Sequence, residues 1–189
     1  MIKPSILGIN GSGKKEGYVA KLLDKALVQA EKSGATIKKI DLSDYEILFH
    51  TGKLDSTIYI EKTNDDMPKL QKMVLAADGI IFATPTHWFG PSSIMKVFID
   101  RLTSLEHYGF LLEGKAAGFI TYGPQGGALN NAMQLMTIAN QWGMISPPYA
   151  TVFDEGRKDA WVSRDCALLG KNITQLINVP SKTKFNWGY

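Results

Sequence analysis

Residues 79–85, Gly-Ile-Ile-Phe-Ala-Thr-Pro, restrict the fold more than any other stretch of the chain. A short, almost wholly apolar run has no polar face to offer water. It is expected as a central strand of a parallel sheet, covered on both sides. Parallel neighbours require crossovers, and the rest of the chain supplies them. Apolar runs at 5–10, 36–42, 115–123 and 144–153 read as four more strands, the last interrupted by Pro147 and Pro148. Segments 18–34, 67–78, 92–105, 127–143 and 159–178 read as helices. In the first of these, Val19, Leu22, Leu23, Ala26, Leu27 and Ala30 fall at helical spacing, and Gly34 can end it. Pro68 suits the first turn of the second.

Five strands alternating with five helices imply an α/β fold, a doubly wound parallel sheet with helices on both faces. The stretch 43–66 breaks this rhythm and reads as an excursion that includes a short strand at Ile58-Tyr59-Ile60. A single domain over 1–180 is expected, followed by an aromatic, basic tail at 181–189. Phe185, Trp187 and Tyr189 of that tail are expected to dock on another surface.

Ligands of open parallel sheets bind beyond the carboxyl ends of the strands. Three loops there are unusual, at 10–17, 84–91 and 122–127. The first, Gly-Ile-Asn-Gly-Ser-Gly-Lys-Lys-Glu-Gly over 8–17, admits three readings. A triphosphate loop needs Ser or Thr directly after its lysine, but Lys15 stands there. A dinucleotide fingerprint needs its third glycine one residue earlier than Gly17, although Asp41 could hold a ribose. A mononucleotide phosphate fits best. Free N–H groups of the following helix would face it, with the Ser12 hydroxyl and the charge of Lys14 or Lys15 beside them. The remaining alternative is a glycine-rich turn without a ligand.

The second loop presents Pro85, Thr86, His87, Trp88 and Phe89 in succession, followed by Gly90-Pro91. Such a loop can wall a flat heterocycle, unless Trp88 and Phe89 simply fill core space. In the third, Tyr122 could flank the ring and Gln125 could bond one of its carbonyls. Gly123, Gly126 and Gly127 would let backbone approach the ligand closely.

With these motifs in place, the chain resembles the NAD(P)H-dependent FMN reductases of flavodoxin-like fold, including the branch of iron–sulfur flavoproteins. The likeness rests on 8–17, Asp65-Asp66-Met67, 77–101, 122–127 and Trp142-Gly143-Met144, which span most of the chain in order. It implies FMN, a sheet order of 2-1-3-4-5, and a homodimer or homotetramer whose interface borders the flavin. It implies that Ser12, Lys14, Gly17, Tyr18 and Val19 hold the phosphate. Pro85 to Phe89 would line the isoalloxazine, with Tyr122, Gly123, Gln125, Gly126 and Gly127 on the third loop. Two departures stand out. Family members often carry Asn-Thr where this chain has Tyr18-Val19, so a phosphate-binding hydroxyl is missing. Many also carry cysteines before Asp65, whereas 43–64 contains none.

The activity so implied is transfer of hydride from NADPH or NADH through FMN to a quinone, a flavin or another small acceptor. The alternative is an FMN-binding electron carrier without nicotinamide activity. A net charge of +3 counts against the acidic surface of a carrier, and it is too mild to suggest nucleic acid. No catalytic residue is certain. His87 could donate a proton or serve as a wall of the pocket, and His107 could face the site across a dimer interface. Asp65 and Asp66 precede a helix and are expected to cap it rather than bind metal. The single cysteine, Cys166, is expected as a buried hydrophobe. Met133 and Met136 are expected in the core. A cytoplasmic setting, without signal peptide or membrane span, is the plain expectation.

Overall fold

The structure, a computed structural model, describes residues 3–55 and 57–179. Five parallel strands form the sheet: β1 (Ser5–Asn10), β2 (Thr36–Asp41), β3 (Gly79–His87), β5 (Ala116–Tyr122) and β6 (Thr151–Asp154). A two-residue strand, β4 (Gly90–Pro91), folds back antiparallel on the end of β3. The order is β2-β1-β3-β5-β6, with β4 beside β3 only. Counted over the parallel strands alone, this is the 2-1-3-4-5 order that the resemblance implies. The strand read over 144–153 is shorter than expected. The chain makes one isolated bridge, Ala116 to Ile145, before Pro147 and Pro148, and pairs fully only from Thr151.

Side chains alternate across the central strands, as a pleated strand buried on both faces requires. Leu7, Ile9, Ile80, Phe82, Ala117 and Phe119 enter one core layer. That layer is covered by α2 (Met67–Ala76), α3 (Ser93–Arg101), α4 (Thr103–Gly109) and α5 (Ala128–Gln141). Ile6, Ile81, Ala83, Ala116 and Ile120 enter the other, under α1 (Tyr18–Lys32) and α6 (Asp159–Ile177). Cys166 lies wholly buried in this second layer, where burial above all pushes its thiol up to about 12. The chain read as one helix over 92–105 is two, meeting at Leu102. No single apolar face is interrupted there, so the periodicity runs through the break.

Among the described residues, the excursion between β2 and α2 has no strand; its one regular element is a 3₁₀ turn at Leu42–Asp44. What fixes it is polar. The Arg101 guanidinium, nearly inaccessible to solvent, donates from Nη1 to Asp65 (2.7 Å) and to the Leu48 carbonyl (2.7 Å). Its Nε donates to Glu61 (2.8 Å) and its Nη2 to Thr63 (3.1 Å). Buried Gln71 accepts from the Glu61 N–H and donates to Ser104 and to the Arg101 carbonyl. Asp65 and Asp66 are thus shared between tasks. Asp65 accepts from the Met67 N–H at the start of α2 as well as from Arg101, and Asp66 accepts from the Glu46 N–H. The expected capping is therefore real for Asp65 but secondary to pinning the excursion. The tail and its three aromatics lie outside the described residues.

Met133 and Met136 correct the sequence reading. They are 52% and 37% exposed, and with Leu129 they form an apolar stripe on the outer face of α5. Ala128, Ala132, Leu135 and Ala139 form the buried face. Both faces of α5 are apolar, so spacing alone could not tell which one the sheet would cover. Among the described residues, no helix is long and apolar enough to cross a membrane.

Candidate functional site

The three unusual loops lie side by side at the carboxyl ends of the strands. Asn10, Ala83 and Ile120 end or nearly end adjacent strands. The first two loops are joined by the Gly11 N–H, which donates to the Ala83 carbonyl (2.7 Å). The Ser92 hydroxyl, which also caps α3, donates to the Gly11 carbonyl (2.5 Å). The second and third loops touch at Gly123, where a Cβ would stand 3.0 Å from Thr86 Cβ and 2.8 Å from the Gly126 carbonyl. They touch again at Gly127, which begins α5 with φ +81°; a Cβ there would meet the Phe89 ring at 2.6 Å. Only glycine fits either position.

The first loop is built on Asn10, whose side chain is fully buried. Its Nδ2 donates to Asp41 (2.6 Å) and its Oδ1 accepts from the Ser12 N–H (3.1 Å). Asp41 is therefore engaged within the protein rather than presented to a ribose. Ser12 Oγ accepts from the Lys14 N–H (3.2 Å), and the Lys14 carbonyl from the Gly17 N–H (3.1 Å). Lys15 is committed to Asp44. The Lys14 ammonium has no partner among the described residues and is exposed. The two lysines that sequence could not separate thus divide.

Helix N-termini with unspent N–H groups attract anions, and the other helices here have acids or caps at theirs. Glu155 accepts from the N–H of Ala128 (2.6 Å) and Leu129 (3.3 Å), so α5 already carries a carboxylate. Ser92 caps α3, Asp65 serves α2, and Asp159 stands in the first turn of α6. At α1 the capping residue is Gly17, without a side chain, and the first turn holds no acid. The N–H groups of Tyr18, Val19 and Ala20 have no acceptor among the described residues. Among the described residues, α1 is the one helix start at the sheet's carboxyl edge that combines these features.

The side chains of Tyr18 and Val19 point elsewhere. Val19 is buried in the core. The Tyr18 hydroxyl donates to buried Asp154 (2.7 Å), lies 3.4 Å from Asp159, and its ring tilts against Tyr122 with centroids 4.6 Å apart. Burial first, and then the bond to Asp154, hold this hydroxyl well above its ordinary pKa. The residue thus ties the start of α1 to the end of β6 and offers a phosphate only its N–H. Tyr18→Phe is expected to lower unfolding free energy by about 1–2 kcal/mol in urea titration, because Asp154 loses a donor while staying buried. FMN affinity is expected to change little.

The second loop is a two-residue hairpin. Trp88 and Phe89 form its tip with φ of +50° and +64°. Both values lie in the left-handed region, which bulky side chains avoid at a cost of about 1–3 kcal/mol each. Pairing of Thr86 with Pro91 and of His87 with Gly90 closes the turn. Gln134 of α5 donates to the Phe89 carbonyl (3.1 Å) and holds it down. Trp88 is 97% exposed and Phe89 60%, so neither fills core space. His87 is exposed beside them and Gln125 stands exposed on the third loop, neither with a protein partner among the described residues. Pro85 and Thr86, half-buried, sit below the tip. The strained turn carries two aromatics over the strand ends.

Sequence reading missed Asn10, Glu155 and Asn131. Asn10 had a signal, a polar residue closing an apolar strand level with Asp41. Glu155 and Asn131 had none, since their partners lie 26–27 and 45–46 residues away. A groove of about 730 Å³ along α2 and the edge strand β2, lined by Ile37, Pro68 and Met73 among others, shares no residue with the three loops.

A family model described as NADPH-dependent FMN reductase matches residues 4–158. An iron–sulfur flavoprotein of Archaeoglobus fulgidus is 32% identical over 149 residues, 78% of this chain and 67% of that protein. An iron–sulfur flavoprotein of Methanocaldococcus jannaschii is 31% identical over 122 residues, 62% of this chain and 61% of that one. The chain therefore spans about two thirds or less of these relatives. Among solved structures, a flavodoxin, WrbA-like protein of Agrobacterium tumefaciens superposes with a TM-score of 0.64 at 20% identity, covering 94% of this chain and 98% of that one. This likeness concerns the flavodoxin-like fold alone.

Proposed function

The chain belongs to the NADPH-dependent FMN reductase family of flavin oxidoreductases, and on that premise we propose that it passes hydride from NADPH or NADH through FMN to a small acceptor such as a quinone or flavin. The observation that carries the reading is the pairing of one uncapped helix N-terminus with a strained aromatic hairpin on adjacent strand ends. The first suits one phosphate and the second suits one flat ring. The donor set fits FMN: N–H groups of Tyr18, Val19 and Ala20, the Ser12 hydroxyl and the Lys14 ammonium for the phosphate. Pro85 to Phe89, with Tyr122, Gly123, Gln125, Gly126 and Gly127, would border the ring.

FMN, when bound, supplies the two-electron chemistry, taking hydride from a nicotinamide and giving the electrons to the acceptor. The protein has to bind, orient and cover. Gly123 and Gly127, where a Cβ would strike Thr86, Gly126 and Phe89, let the second and third loops close together beside the site. Trp88 and His87 wall the mouth, and no acid–base pair is required of them. With Cys166 as the only cysteine, the chain cannot by itself build a cluster held by several thiolates. The reading is tested by absorbance of the purified protein in the flavin bands, then by anaerobic addition of each nicotinamide. Bleaching by one of them is the expected result. A flavin that neither NADH nor NADPH bleaches would make the protein a carrier.

We also propose a homodimer or homotetramer. What supports it is the exposed stripe of Leu129, Met133 and Met136, on a helix that carries no charged residue. Such contiguous apolar surface, depleted of charge, is what interfaces use. Met133→Glu is expected to halve the apparent mass in light scattering while leaving the circular dichroism spectrum unchanged. A wild-type chain that runs as a monomer would end this proposal.

A further inference from the structure

Asn131 of α5 is fully buried, and its Oδ1 is a buried side-chain atom without a hydrogen-bond partner among the described residues. Its Nδ2 lies 3.4 Å from the Pro85 carbonyl oxygen and 3.1 Å from Thr86 Oγ1. The Pro85 carbonyl can only accept, so the atom facing it is the amide nitrogen. Turning the amide over would set oxygen against oxygen there and leave the NH₂ unpaired instead. Both amide hydrogens are then spent as donors. Thr86 Oγ1 must accept one of them, and its own hydrogen has no acceptor among the described residues. The hydroxyl is boxed on its other flank by Gly123, where a Cβ would stand 3.1 Å from Oγ1. Thr86 is half-buried at the strand end, where the second and third loops meet at Gly123.

Resting on the flavin reading above, we infer that Asn131 is a positioning residue that fixes the Thr86 hydroxyl as a hydrogen-bond donor to an acceptor atom on the flavin ring's polar edge. An apolar side chain at 131 would pack without leaving an orphan oxygen, which is costly to bury. What the carboxamide contributes is direction. It accepts nothing from Thr86, and so it leaves that proton for the ligand.

The test is FMN affinity of the apoprotein, read by quenching of flavin fluorescence from pH 5 to 8. Thr86→Val is expected to weaken binding about tenfold at every pH, as loss of one hydrogen bond would. Thr86→Ser should stay close to wild type. Asn131→Asp is the sharper variant. Its ionised carboxylate would accept the Thr86 proton and turn it from the ring, weakening FMN by about tenfold or more at pH 8. Relative to wild type, that loss should fade as the introduced carboxyl protonates. In the Thr86→Val background, the pH-dependent part should vanish. If it persists there, the carboxylate acts on the ring directly and positioning through Thr86 is wrong. Wild-type affinity in Thr86→Val would likewise overturn the inference alone. Failure of the wild-type chain to bind FMN would overturn the flavin reading together with it. Circular dichroism of each variant verifies that binding is measured on folded protein.

Discussion

Arg101→Ala is expected to lower unfolding free energy by about 3–5 kcal/mol, the effect of stranding buried acids without their cation. Asp65 has no exposed side-chain surface and Glu61 little. Removing the guanidinium leaves both desolvated, and it also removes a donor from the Leu48 carbonyl. Arg101→Lys should recover little, because one ammonium cannot fork to Glu61 and Asp65 together. Urea denaturation reads the loss, and limited proteolysis should cut within 45–66 at protease levels the wild type resists. A loss below about 1 kcal/mol, the value of an exposed pair, would mean that the segment holds itself.

The same cluster sets an acid limit. Burial alone would raise the Asp65 carboxyl, but Arg101, Thr63 and the N–H groups of Leu48 and Met67 outweigh it and bring it down from 3.8 to about 2. A carboxyl depressed in the folded state stabilises fully above its unfolded pKa and loses that contribution as pH falls through the folded value. Wild-type stability should therefore fall between about pH 4 and pH 2. In Arg101→Ala the fall over that window should be shallower, because the depression is largely gone.

The five parallel strands and their order were legible because a strand buried on both faces leaves a continuous apolar run, as at 79–85. The three loops were legible because glycine and aromatic residues cluster where strands end. Three features were not. The exposed stripe of α5 escaped because Leu129, Met133 and Met136 repeat with the same period as the buried Ala128, Ala132 and Leu135. The break at Leu102 escaped because Phe98, Leu102 and Leu105 face the same core across it. The polar clamps of Asn131 and Glu155 escaped because hydrogen bonds between distant segments leave no periodicity. Tyr18 is instructive in another way. The hydroxyl missing from the family pattern is that of the threonine replaced by Val19, which is buried in the core, whereas the hydroxyl that Tyr18 carries is turned to Asp154.

Gly17→Asp is expected to weaken FMN binding about a hundredfold relative to Gly17→Asn, with both proteins folded. Gly17 caps α1 with φ −72° and ψ 176°, the extended conformation that aspartate and asparagine adopt readily at this position. Either side chain would crowd Lys14, whose Cβ and carbonyl oxygen lie 2.9 and 3.1 Å from where the new Cβ would stand. That strain is common to the two variants, and so is a side-chain oxygen able to accept from the first-turn N–H groups. The charge is not common. A carboxylate there does for α1 what Glu155 does for α5, occupying the helix terminus with an anion of the protein's own. Like charges about 5 Å apart repel by roughly 3 kcal/mol at an effective dielectric of about 20, which is about a hundredfold in affinity. The helix itself should gain from the same charge, by about 0.3–1 kcal/mol through its dipole. Stability and affinity should therefore move in opposite directions between Asn and Asp at this position. Equal FMN affinity in the two would place the phosphate somewhere other than the start of α1.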